Sequence, residues 1–113
     1  MNNTPYTLLQ LQREVKEQIR RSFSSRKWVV AEIGQISNAS TGHCYMELVE
    51  RNDATGQLAA KCQATIWRNS YSGIAHRFLS ATGSKLIGGM KILALVEVSH
   101  HELYGLSLNI SDI

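Results

Sequence analysis

Tyr45 in one alternating run, and Lys61, Gln63, Thr65 and Trp67 in the next, carry the most informative side chains of this 113-residue chain. Strand alternation sends every second side chain to the same side. On that parity the two rings offer π-faces on which unpaired bases stack, and Lys61 offers a cation for backbone phosphate. Each residue also has a plainer reading. Tyr45 can simply cover the outside of a strand, Lys61 and Arg68 are of a type normally solvated, and Trp67, at a strand end, is expected to pack beneath the segment that follows.

Further residues complete the candidate set at the edges: His43 two positions before Tyr45, Ser40 in the preceding loop, Arg68 after Trp67, Lys27 in a basic cluster, and His100-His101 at a later turn. The cluster of Arg20, Arg21, Arg26 and Lys27 reads either as a phosphate-contacting collar or as cations complementing a helix C-terminus. Catalytic chemistry has no comparable pattern. Glu32, Glu47, Glu50, Asp53, Glu97, Glu102 and Asp112 are scattered, and no nucleophile is spaced with a base, so this chain alone is expected not to hydrolyse DNA. His43, His76, His100 and His101 lack metal-ligand spacing, and Cys44 and Cys62 fall on a core parity as free thiols, so no metal or cofactor is expected.

A net charge of +3 and a pI near 9.1 permit a polyanionic partner without requiring one. With 43% hydrophobic and 19% charged residues the chain suits one globular domain. It has no apolar run long enough to span a membrane, and Met1-Asn2-Asn3-Thr4-Pro5 lacks a signal pattern, so a cytoplasmic protein is expected.

The elements that must position these residues follow in order. Thr7 and Gln10 form a capping box, with Tyr6 placed to staple onto Leu11. The helix they start has an apolar stripe of Leu8, Leu11, Val15 and Ile19 that must dock on something. Trp28 to Ile33 is strand one, with Trp28 and Phe23 expected in the core between helix and barrel. After a loop from Gln35 to Gly42, strand two buries Cys44, Met46 and Leu48. A turn from Arg51 to Gly56 leads to strand three, whose apolar side is Leu58, Ala60, Cys62, Ala64 and Ile66. A short helix over Ser70 to Leu79 ends at Gly83. Strand four, Met90 to Val98, is apolar on both parities and is expected to be covered on both sides. His100 to Gly105 turns the chain into strand five, where Leu106, Leu108 and Ile110 alternate with Ser107, Asn109 and Ser111. Parity places Val29, Ile33, Cys44, Met46, Leu48, Cys62, Ala64, Ile66, Ile92 and Val96 inside.

Three meandering strands, a helix and a closing hairpin make a mainly β fold: a five-stranded Greek-key barrel of the OB type, with an N-terminal helix and a short helix between strands three and four. Residues 1–26 form the helical extension and 27–113 the barrel, together one domain. Such barrels bind oligonucleotides across strands two and three.

Tyr6-Thr7, Leu11 and Val15, then Trp28-Val29 and Glu32-Ile33, Gly42-His43-Cys44-Tyr45-Met46-Glu47-Leu48, Ile66-Trp67-Arg68 and Gly89-Met90-Lys91-Ile92-Leu93, in this order and spacing, resemble the N-terminal domain of the exodeoxyribonuclease VII large subunit. The Gly-His-Cys-Tyr piece is shared with anticodon-binding barrels. Gln63, where the family tends to be basic, and His100-His101-Glu102-Leu103, in place of a Pro and basic pair, are departures. The resemblance implies a single-stranded DNA-binding module excised from a longer chain. The parent enzyme would hydrolyse single-stranded DNA from its ends, with catalysis, any divalent metal and the attachment of many small subunits lying outside this stretch. The competing readings are an anticodon-type RNA-binding domain and a barrel used only for protein contacts.

Overall fold

The computed structural model describes residues 4–113; the reading of Met1, Asn2 and Asn3 lies outside them. In chain order the elements are α1 (Leu8–Ser22), β1 (Lys27–Asn38), β2 (Cys44–Arg51), β3 (Leu58–Ile66), α2 (Arg68–Thr82), β4 (Lys91–His101) and β5 (Gly105–Asp112). The strands close into a barrel in the order β1-β2-β3-β5-β4. Four ladders are antiparallel; the fifth, which closes the ring, pairs Gln63, Ala64 and Thr65 in parallel with Ser107, Leu108 and Asn109. This is the expected five-stranded barrel with its two helices.

Two-residue alternation selects the core. Ile33, Cys44, Met46, Leu48, Ala64, Ile66, Ile92 and Val96 are buried, joined on the same parity by Ala31, Ala94 and Ile110, and by Ile74 of α2. Val29 and Cys62 keep the inward parity but are only half-buried, because they line an apolar hollow at the barrel end away from α2. Burial raises the pKa of both thiols, Cys44 and Cys62, above the ordinary cysteine value. Val49 breaks the alternation: it is buried on the outward parity. The β1 ladder bulges between Ile33 and Gln35, and a Cβ on the intervening Gly34 would come within 3.1 Å of Val49 Cγ1. The bulge and the missing side chain let β1 close over Val49.

Several elements differ from the sequence reading. Leu58 and Ala60, assigned to the apolar side, are exposed. There β3 pairs with β2 alone, because β5 reaches β3 only from Gln63 onward. Gln35 to Asn38 belong to β1, paired with Glu47 to Cys44, so the loop shrinks to residues 39–43. The second helix starts at Arg68 and reaches Thr82, longer than Ser70 to Leu79, and Gly83 ends it in the left-handed conformation at φ 75°. β4 continues to His101, which shortens the final turn to residues 102–104.

At α1, the capping box forms: Gln10 N–H donates to Thr7 Oγ1 at 3.1 Å, and Thr7 N–H to Gln10 Oε1 at 2.8 Å. The helix docks, but with only part of its apolar stripe. The helix meets the barrel through Gln12, which bonds His100 at 2.7 Å, and Lys16, which pairs with Glu102 at 3.2 Å, while Ile19 and Phe23 line an open cleft facing Glu97 to His100. At 3.6 residues per turn this contact flank lies about a quarter-turn from the centre of the Leu8–Leu11–Val15 stripe. Of the stripe, Leu8, Leu11 and Val15 stay exposed while Ile19, at the barrel side, is half-buried; α1 contains no buried residue. Tyr6 and Leu11, the expected staple, are exposed as well. The radius of gyration is 16.4 Å, against about 13 Å for a compact chain of this length.

Candidate nucleic-acid interface

On the outer side of β2 and β3, Tyr45 stands directly across from Thr65, Glu47 from Gln63, and Val49 from Lys61. The rows continue around the barrel. Ser37 flanks Tyr45 on β1, while the parallel ladder sets Asn109 beside Thr65 and Ser107 beside Gln63. Of the residues expected to form one surface, Tyr45, Lys61, Gln63 and Thr65 therefore share it.

Trp67 joins them, against the expectation that it would pack beneath α2. It is the N-cap residue of α2 and 48% exposed. Two contacts hold the ring. Its Nε1–H donates to Asn109 Oδ1 at 2.9 Å, and its edge meets His43 with centroids 4.9 Å apart. Extended backbone at Trp67 (φ −69°, ψ 150°) ends the strand and starts the helix, which carries the indole outward. Asn109 Nδ2 in turn reaches Ser99 Oγ at 3.4 Å, and Ser99 bonds Ser107 at 3.0 Å. A hydrogen-bonded chain thus runs from the indole across β5 to β4.

His43 is the hinge of the cluster. Its ring lies between Trp67 and Tyr45, at 6.2 Å from the latter, both in edge geometry. The Arg68 backbone N–H donates to His43 Nδ1 at 2.9 Å, so the neutral ring carries its proton on Nε2, an open donor. Gly42 at φ 94° permits this turn, and a Cβ there would strike Arg68 Cγ at 2.9 Å, so the Arg68 stem rests on the loop. Ser40 is exposed in the same turn.

The other candidates sit apart. His100 is half-buried against Gln12 of α1. His101 is exposed at the β4–β5 turn and stacks on Tyr104 at 4.7 Å. Lys27 lies at the far seam, 5.9 Å from the Phe23 ring centroid and paired in register with Val96. Its basic neighbours are engaged. Arg20 and Arg21 approach Glu17 at 2.7 and 2.9 Å, and the Arg20 hydrogen bond above all holds that carboxyl down at about 2. Arg26 lies 3.9 Å from Glu97. Trp28, expected in the core with Phe23, is 53% exposed; its outward parity on β1 faces away from the interior, and α1 meets β4 at His100, away from Trp28 and its partner Leu95.

Sequence reading missed Tyr104, which is 81% exposed, and Asn109. Alternation had put Asn109 on the outward side, but only the parallel β3–β5 pairing brings it to Trp67. Among the described residues, no three His, Cys, Asp or Glu side chains converge on a metal position, and no helix is long and apolar enough to cross a membrane.

The model of the OB-fold nucleic acid binding domain family matches residues 6–113. The exodeoxyribonuclease 7 large subunit of Deinococcus radiodurans is 33% identical over 104 residues, covering 88% of this chain and 24% of the relative, so the chain spans about a quarter of that protein's length. This agrees with the resemblance to the N-terminal OB domain of that subunit. By fold, strand order and family match over nearly its whole length, the chain belongs to the OB-fold nucleic acid binding domain family.

Proposed function

We propose that the outer side of β2 and β3 binds single-stranded DNA, and that the chain is the DNA-holding domain of an exodeoxyribonuclease VII large subunit. The observation that carries this reading is the Tyr45–His43–Trp67 cluster: aromatic surface, part of it fixed by hydrogen bonds, beside the exposed Arg68, with the exposed Lys61 four residues before Thr65 on the same side of β3. Bases stack on rings that are already ordered at lower entropic cost, and a stacking platform accepts any base. Similarity to a large subunit named for exodeoxyribonuclease activity favours DNA over structured RNA.

In this reading the domain binds and does not cut. Cleavage and the attachment of small subunits belong to the remainder of a longer, cytoplasmic protein. With Gln63 in the middle of the face and Lys61 its cation on β3, affinity is expected to be low at physiological salt. Anisotropy titrations of labelled single-stranded DNA, duplex DNA and structured RNA at two salt concentrations test the reading. Single strands should bind most tightly; preference for structured RNA would favour the anticodon-type reading, and no binding at low salt would favour a barrel used for protein contacts. Incubation with DNA and magnesium should release no nucleotides.

A further inference from the structure

On the far side of the barrel the outward row changes character. Trp28 pairs in register with Leu95 and Val30 with Leu93. Trp28, Val30 and Leu93 are 53%, 56% and 50% exposed. In the closed order β1-β2-β3-β5-β4 the β1–β4 seam lies opposite β3, so this apolar patch has its back to the proposed DNA face. Charged pairs border it: Glu32 with Arg51 at 3.5 Å beyond Val30, where Glu32 also faces Lys91 in register, and Arg26 with Glu97 at 3.9 Å at the other end. An apolar centre inside a polar rim is the anatomy of a protein contact.

We infer that this patch is the seat of an intramolecular partner: in the full-length large subunit, the chain that continues beyond position 113 packs on Trp28, Val30 and Leu93. The inference rests on the reading of this chain as one domain of a longer large subunit. Two observations select a tethered occupant. Asp112 pairs in register with Leu95, so position 113 stands at the border of the patch, and following residues reach it without crossing the DNA face. The chain also spans only 24% of the similar large subunit, so in the reading proposed above most of the longer chain lies outside it and is held near the patch at a high effective concentration.

Hydroxyl-radical footprinting read by mass spectrometry tests this on the 113-residue chain and on the full-length large subunit carrying it, both free of DNA. Trp28 should oxidise several-fold less in the longer protein, while Trp67 and Tyr104 remain equally reactive in both. Equal oxidation of Trp28 overturns the inference. So does protection of Trp28 that arises in the short chain alone as its concentration rises, since a second copy would then be the occupant. Trp28→Glu with Leu93→Glu should enlarge the radius of the full-length protein in solution scattering, yet leave the melting temperature and oligonucleotide affinity of the short chain unchanged; an unchanged radius counts against docking. Loss of the DNA reading would show separately, as failure of Tyr45→Ala to weaken binding, with the footprint of Trp28 unaffected.

Discussion

Around one barrel, the outward residues of β2 and β3 are Tyr45, Glu47, Lys61, Gln63 and Thr65, whereas those of β1 and β4 at the opposite seam are Trp28, Val30, Leu93 and Leu95. Both sets stand on the same pleat and neither fills the core. What separates them is chemistry. The first side has a hydrogen-bonded indole, an imidazole with an open donor, and cations; the second has Trp28, Val30 and Leu93 held about half in water. Apolar character on a strand therefore does not mean burial in the barrel. In a closed ring the barrel itself encloses the inward parity, and an outward side chain is buried only where something closes over it, as β1 does over Val49. α1 half-covers His100 through Gln12 and stops short of Leu93, which is 50% exposed.

Four substitutions would break or sharpen this contrast. The largest effect should come from the wall that both sides share: Ile66→Ala, at a fully buried position below Trp67, should cost roughly 2 to 5 kcal/mol in urea unfolding. A cost under about 1 kcal/mol would mean that the core is not the packed unit described. Next, Tyr45→Ala should weaken single-stranded DNA binding by roughly 1 to 3 kcal/mol, with the melting temperature little changed; an unaltered affinity would move the DNA path elsewhere, to Arg20, Arg21, Arg26 and Lys27.

Lys61→Ala should act more mildly and in a different coordinate. It removes one phosphate contact, so the slope of log affinity against log salt should flatten by about 0.7, with the loss independent of base sequence. A sequence-dependent loss would show Lys61 reading bases. The smallest effect belongs to the far seam: Leu93→Thr should shift the stability of this chain by no more than about 0.5 kcal/mol and leave oligonucleotide affinity as it was. A large destabilisation there would mean that the outward patch supports the fold, and the contrast between the two sides would fail.

Much of the molecule was legible before its structure. The order of strands and helices, the Thr7–Gln10 box, the Gly83 stop and the inward set from Ile33 to Val96 all follow from local rules: pleat alternation, capping chemistry and the left-handed freedom of glycine. Those rules act over a few residues, so one sequence states them. The outward parity of Tyr45, Lys61, Gln63 and Thr65 was readable for the same reason.

Coverage was decided elsewhere. Trp28 and Trp67 both look like core residues in isolation, but one lies outward on a seam that α1 does not reach and the other at a helix start that turns it toward Asn109. Leu58 and Ala60 lost their cover because β5 joins β3 only from Gln63 onward. His100 was lost from the candidate surface because Gln12, 88 positions earlier, holds it, and Leu8, Leu11 and Val15 of the α1 stripe stayed open because the helix docks through the flank of Gln12 and Lys16. Alternation states which way a side chain points; what stands in front of it depends on segments far away along the chain, and only the closed barrel brings those together.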